Sequence, residues 1–146
     1  YYHMNIIQRL PADIISHIIP YTYQIQNKEL LKDILHYIPI RQGLFIAYFS
    51  YWIKYSYLTH QQDLCWLSND IFGYMNNHEA IGLGYTSKFM DICYRNPFLK
   101  TPEDVVRYMF SLEKKNINTQ INVCLGLLNP QEREEFKSIA LNQHLT

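Results

Sequence analysis

Charge is scarce in this chain of 146 residues, where Asp, Glu, Lys and Arg make up 18%. An average globular domain carries about 25%. Neither sign dominates, because 13 basic residues balance 13 acidic ones, and no segment concentrates Lys or Arg. A protein that follows a nucleic-acid backbone needs clustered basic side chains to neutralise phosphates. The composition therefore argues against a nucleic-acid partner, and a net charge of zero favours association with other proteins.

Cysteine is also sparse, and Cys65, Cys93 and Cys124 lie far apart in no short motif. An odd number at irregular spacing predicts reduced, buried thiols in an intracellular protein. None has a histidine at metal-ligand spacing, and the six histidines form no H-x-x-x-H pair. We expect neither a metal site nor a cofactor. The isolated histidines are better read as helix-surface or half-buried residues: His17, His36, His60 and His78.

Recognisable catalytic motifs are absent too. Asp63 and Asp70 are seven positions apart, too far for two carboxylates that share a proton. The glycines at 82 and 84 lack the preceding strand and the third glycine of a dinucleotide-binding loop. A Ser or Cys nucleophile can use a histidine distant in sequence, but no residue is singled out. We therefore predict no enzyme and no catalytic residue, with a hidden enzymatic or nucleic-acid site as the remaining alternative.

Long hydrophobic runs are missing as well. No apolar stretch reaches the length of a membrane span, although the apolar segment from Gln42 to Leu58 leaves a span as a minor alternative. No signal peptide is recognisable, and Tyr1 to His3 look like residues added ahead of a natural start at Met4. We expect no membrane partner.

What the sequence does have is helical periodicity from one end to the other. Leu10, Ile14 and Ile18 share one face of a short first helix that Pro20 ends. A second helix, with Asn27 as a plausible N-cap, is predicted to end at Pro39. Its apolar residues form one row of Leu30, Ile34 and Ile38, with Leu31 and Leu35 beside it. The third, from Gln42 to Leu58, is apolar nearly all round. It is therefore expected to be the central helix, buried on all sides.

Further helices follow with clear start signals. The pairs Thr101-Pro102 and Asn129-Pro130 place a capping residue and a first-turn proline together. The expected inward rows between Gln61 and Leu128 are Leu64, Leu67, Ile71 and Met75, then Ile81, Tyr85, Phe89 and Ile92, then Ile121, Cys124 and Leu128. No strand alternation is present. The fold class is predicted as all-α, a compact bundle of seven to eight short helices in a single domain.

Aromatic residues are abundant, at 15% with 13 tyrosines. Tyr and Trp combine an apolar body with a polar tip, which suits half-buried positions and interfaces. A tyrosine-rich core explains this composition equally well. The alternative is that Tyr51, Tyr55 or Tyr57 belongs to a face that docks another chain.

The opening "LPADIISHII" resembles the first helix of an F-box, which begins Leu-Pro, has an acidic residue two positions later and continues with aliphatics at helical spacing. The matching residues are Leu10, Pro11, Asp13, Ile14, Ile15 and Ile18, and Trp52 falls where the module usually has a tryptophan. The stretch "IIPYTYQIQNKELLKDILHYI" is closer still to F-box-like openings of small proteins encoded by large DNA viruses. Abundant Ile, Asn, Tyr and Lys with little Ala or Gly fits an A/T-rich genome of that kind.

This resemblance implies a protein-interaction module that engages a host or viral protein, with the adaptor subunit of cullin-type ubiquitin ligases as the family's partner. The partner-binding residues it implies are Leu10, Pro11, Ile14, Ile15, Ile18 and Trp52. It covers an F-box-like segment of three helices, residues 9–58, with a helical remainder, 59–146, packed as one domain with it. The implied location is intracellular, in the host cytoplasm or the virion. The alternative is a self-associating structural protein of the virion type, a homo-oligomer. In either case Leu10 to Ile19 could equally fill the chain's own core.

Overall fold

The computed structural model describes residues 27–55 and 60–145, together with Ile14, and the side chains of Ile14, 27–51 and 64–142. The helices in these ranges are α1 (Lys28–Tyr55), α2 (His60–Met75), α3 (Ser87–Cys93), α4 (Pro102–Glu113), α5 (Ile117–Leu127) and α6 (Pro130–Leu145), with a 3₁₀ turn at Ile81–Leu83. No strand occurs in this part of the chain. The all-α class is confirmed, and the six α-helices described are fewer than the seven to eight predicted.

The chain divides into two compact units, residues 1–32 and 33–146. In the first unit, Ile14 is helical and 41% exposed. Helix α1 begins in that unit, where the Asn27 side chain accepts the Glu29 N–H at 2.9 Å, as an N-cap residue does. The domain boundaries expected at 9, 58 and 59 stay predictions. The second unit holds the remaining helices.

The prediction that Pro39 ends a helix is wrong. Helix α1 runs for 28 residues with Pro39 inside it, so two predicted helices are one. Proline removes one backbone donor and usually kinks or breaks a helix interior. Here the residues just after it, Ile40, Leu44 and Tyr48, are all buried in the core at four-residue spacing. Helices in proteins are stabilised mainly by packing of this kind, and it holds the backbone helical through the proline.

The core of the second unit is centred on α2 and α5, which make the most extensive helix–helix contact. The predicted inward residues of α2, namely Leu64, Leu67, Ile71 and Met75, are all buried, as are Ile121, Cys124 and Leu128 from the predicted row around α5. The expectation that the segment from Gln42 to Leu58 forms a central helix buried all round is wrong. Among its described side chains one side is buried, while Ile46 is 66% exposed.

The segment before α3 differs from the expected helical row. Ile81 is exposed, whereas Phe89 and Ile92 are buried. The reason is the loop at 76–86, where Asn77 and His78 adopt positive φ angles of 55° and 61°. The buried Asn76 amide fixes this loop by donating to two backbone carbonyls, at 2.9 and 3.2 Å, and accepting a backbone N–H at 2.8 Å. A satisfied buried amide of this kind specifies a loop that helical spacing does not reveal.

The two predicted helix starts are confirmed. At α4, Thr101 and Asp104 form a reciprocal capping box. The Thr101 N–H donates to Asp104 Oδ2, with 3.0 Å between nitrogen and oxygen, and the Asp104 N–H donates to Thr101 Oγ1 at 3.2 Å. At α6, the Glu132 N–H donates to Asn129 Oδ1 at 2.9 Å and Glu132 Oε2 accepts the Asn129 N–H at 2.8 Å. Glu132 also pairs with Arg95, whose Nη2 lies 2.7 Å from Glu132 Oε1.

Arg133 is the largest buried side chain and is 1% exposed. Its Nη1 and Nη2 donate to the two carboxylate oxygens of Asp33 at 2.7 and 3.2 Å, and its Nε donates to the Leu125 carbonyl at 2.8 Å. Its guanidinium also lies over the Tyr37 ring, 5.4 Å from the centroid. Bidentate, charge-assisted bonds are the arrangement that makes a buried charge tolerable. This cluster fastens α1, α5 and α6 together.

Replacing Arg133 with alanine should lower the free energy of unfolding by about 3 kcal/mol or more, because it leaves Asp33 and the Leu125 carbonyl without their donor. Arg107→Ala is the matched control, since Arg107 pairs with Asp104 while 79% exposed and should change stability by about 0.5 kcal/mol or less. Urea denaturation followed by circular dichroism measures both. Equal effects of the two substitutions would contradict the assigned role.

Acid should destabilise the fold partly through Glu132. Burial acts to raise the pKa of this carboxyl, but the Arg95 guanidinium and the Asn129 N–H outweigh it and bring the pKa below the ordinary 4.5. A lowered folded-state pKa contributes stability above pH 4.5 that is lost as the pH falls through the lowered value. Glu132→Gln should therefore be less stable than the wild type by about 1 kcal/mol at pH 7, with the gap closing towards pH 3. A gap independent of pH, measured by urea titrations at both values, would refute this.

Candidate interaction face

The residues expected to bind a partner are mostly outside the described part of the chain. Ile14 is described as a half-exposed helical residue. Trp52 belongs to α1, but its side chain is outside the described residues. The others that lie outside are Leu10, Pro11, Ile15 and Ile18. Of the tyrosines expected on a docking face, Tyr51 is half-buried, the Tyr55 side chain is not described, and Tyr57 lies outside the described ranges.

Helix α1 has an inner side that the core fixes. Ile40, Leu44 and Tyr48 are at most 2% exposed. The Tyr48 hydroxyl donates to Asp70 Oδ2 at 2.5 Å. Burial, followed by this bond to a carboxylate, raises the pKa of Tyr48 well above its ordinary value, so the phenol stays protonated. The side of α1 opposite these residues is consequently the side turned to solvent.

The outer face of α1, as we name it, consists of five exposed apolar residues around the exposed Gln42. Their exposed fractions are 42% for Ile34, 70% for Leu35, 44% for Ile38, 66% for Ile46 and 43% for Phe49. At 3.6 residues per turn these positions form a stripe along one side of the helix. Single exposed apolar residues are ordinary, whereas a contiguous stripe is typical of an interaction surface.

The ionisable groups of this part of α1 all engage neighbours away from the outer face. Asp33 binds Arg133 of α6, and His36 Nε2 lies 3.2 Å from a carboxylate oxygen of Glu134, also in α6. Arg41 Nε donates to Asn122 Oδ1 of α5 at 2.6 Å. The Tyr37 hydroxyl donates to Asn122 Oδ1 at 3.1 Å, and the Tyr48 hydroxyl donates to Asp70. The outer face is therefore left without a charged group.

The apolar row expected in the predicted second helix, with Ile34 and Ile38 and with Leu35 beside it, does not enter the core, since all three residues are exposed. The helix is rotated because Asp33, Tyr37 and Arg41, spaced four apart, face polar partners in α5 and α6. A row of polar residues at helical spacing usually indicates a solvent side. Here the distant partners Asn122 and Arg133 invert that rule. A pairing over 81 to 100 positions leaves no local signal in the sequence.

A cavity of about 360 Å³ lies beside α2, lined by Asn69, Phe72, Gly73, Ile81, Tyr85, Glu113 and Gln120. Its polar groups are partly committed to the fold, because the Gln120 amide donates to the backbone carbonyls of Glu113 and Lys115 at 3.1 and 2.9 Å. Tyr85 stacks on Phe89 with ring centroids 4.3 Å apart. The Gln120 bonds join α5 to the end of α4, and the Tyr85 stack joins the loop at 76–86 to α3, so these lining groups serve the packing of the fold.

Within residues 27–55 and 60–145, three or more His, Cys, Asp or Glu side chains nowhere gather in a way that would hold a metal ion. In the same ranges, each helix falls short of the combined length and apolar character needed to cross a membrane. Neither a family model, nor a curated protein, nor a solved structure matches this chain.

The three cysteines divide into two environments. Cys93 and Cys124 are buried, and burial raises the pKa of each thiol to about 12. Cys65 is exposed on α2, which corrects the expectation that all three are buried. The thiolate is the reactive form of cysteine. The two buried thiols are therefore protected from reaction, because reagents cannot reach them and because they stay protonated.

Native protein should react quickly with a thiol reagent at Cys65 alone, and all three thiols should react in denaturant. Cys65→Ser should abolish the fast phase and leave the denatured count one lower. Absorbance with a disulfide reagent at pH 8 measures the stoichiometry. Fast labelling of more than one thiol in the folded protein would contradict the burial assigned to Cys93 and Cys124.

Proposed function

We propose that this chain is a non-enzymatic protein-interaction module that binds other proteins through exposed apolar helix surface. The observation that carries the proposal is the outer face of α1, an uncharged stripe on a helix whose other side is fastened to the core. Helices recognised by other proteins commonly dock such an apolar face into a groove. The low charge and high aromatic content of the whole sequence support the same conclusion.

The more specific form of the proposal is an F-box-like adaptor of a large DNA virus, acting inside the host cell. It draws support from the resemblance at Leu10 to Ile18 and from the exposure of Ile14. In this form, Ile14 and its aliphatic neighbours contact the adaptor subunit of a ubiquitin ligase, with Trp52 completing the module. The second candidate, a self-associating structural protein, is favoured by the lack of charge on the outer face.

A pull-down of the full chain with the purified ligase adaptor tests the specific form. Ile14→Glu should weaken binding at least about tenfold, since a charge entering an apolar groove costs more than 1.4 kcal/mol. Ile81→Glu is the matched control, because Ile81 has the same 41% exposure and lies on a different element.

Two results would end the F-box-like form. One is the absence of wild-type binding while a known F-box protein binds the same adaptor preparation. The other is equal weakening by the two glutamate substitutions. The broader proposal of an interaction module would then depend on the outer face alone, which is tested separately below.

A further inference from the structure

We propose that the outer face of α1 binds the same face of a second copy of this chain, in an antiparallel pair whose two-fold axis passes through Gln42. This inference rests on the proposed interaction function and names the partner that the outer face takes. Three properties of the face support it: its symmetry about Gln42, its lack of charge, and its exposed area.

Four of the five exposed apolar residues are symmetric about Gln42, and Ile34, the fifth, has Ser50 as its counterpart. Ile38 and Ile46 lie four positions before and after it, and Leu35 and Phe49 lie seven before and after it. On a helix with 100° per residue, these pairs flank the direction of Gln42 at equal angles and equal heights. A 180° rotation about an axis through Gln42 therefore sets Ile38 of one copy against Ile46 of the other. It also sets Leu35 against Phe49. An isologous interface requires this self-complementarity.

Charge argues for a like partner as well. A surface that recognises a protein of opposite charge needs charged groups of its own, and the outer face presents none because Asp33, His36 and Arg41 are engaged elsewhere. Two such faces can meet without like-charge repulsion. The one polar side chain at the centre, Gln42, carries both a donor and an acceptor. On a two-fold axis its amide can therefore bond its own symmetry mate reciprocally.

The area is sufficient for a reversible dimer. Five apolar residues exposed by 42% to 70% offer on the order of 500 Å² per copy, so the pair would bury about 1,000 Å², the lower end for specific interfaces. Such an interface gives a dimer that dissociates in the micromolar range, because association also costs translational and side-chain freedom.

The first test measures the mass of the full chain by analytical ultracentrifugation from about 1 to 200 µM, a range that brackets a micromolar dissociation constant. We expect a monomer–dimer equilibrium. Leu35→Glu should weaken dimerisation by about 100-fold or more, because each copy then places a charge against the apolar surface of the other. Leu83→Glu is the matched control, as Leu83 is 86% exposed on the 3₁₀ turn and should leave the equilibrium unchanged. Ile46→Glu provides a second variant, and circular dichroism verifies that each variant is folded.

A second test reads the position of the axis. In a Cys65→Ser background, Gln42→Cys should form an intermolecular disulfide under mild oxidation, because a residue on a two-fold axis meets its own mate. Ser50→Cys, eight positions away, should not, since the antiparallel arrangement separates the two copies of position 50 by more than a disulfide spans.

Each outcome is decisive. A strict monomer at 200 µM overturns the inference, and so does a dimer that Leu35→Glu leaves intact. Cross-linking at position 50 but not at 42 overturns the proposed axis. If the chain is monomeric but still captures the ligase adaptor, this inference fails while the interaction function stands. If neither partner binds, both fail.

Discussion

The ion pair between the buried Arg133 and the half-buried Asp33 is the interaction on which the packing of α1 against α5 and α6 depends. A guanidinium removed from water requires bonds for its donors, and it finds them in one carboxylate of α1 and one carbonyl of α5. With Arg133 itself in α6, three helices meet at this cluster, and Asp33 lies 100 positions from Arg133 in the sequence. Once Asp33 is committed to Arg133, the rotation of α1 about its own axis is determined, because Arg41 and Tyr37 follow on the same side of the helix. What α1 presents to solvent is a consequence of this inward polar row.

This constraint links stability to interaction. Proteins generally bury apolar residues and leave polar ones exposed, and the few exceptions tend to be functional. In α1 the half-buried polar row faces α5 and α6, and an apolar row is exposed. The arrangement is stable because every ionisable group of that row has a partner. It also leaves an apolar stripe of α1 exposed to solvent.

The sequence allowed those parts of the fold to be predicted that depend on neighbours in the chain. Capping residues at Thr101 and Asn129 act within one turn, and the inward row of α2 follows from helical spacing alone, so both were predicted correctly. The prediction that a helix ends at Pro39 was wrong, because the packing of Ile40 and Leu44 in the core overrides the local preference of proline. The outer face could not be predicted, since its exposure depends on Arg133, about a hundred positions from Asp33.

Pro39 has one more consequence for the outer face. Without an N–H it cannot bond the carbonyl four residues earlier, that of Leu35, so α1 lacks one of its internal hydrogen bonds midway along its exposed side. A helix bends at lower cost where such a bond is missing. Leu35 lies before this point, and Ile46 and Phe49 lie after it. The two ends of the stripe can thus change their mutual angle at low cost, while Ile40, Leu44 and Tyr48 keep the helix packed against the core.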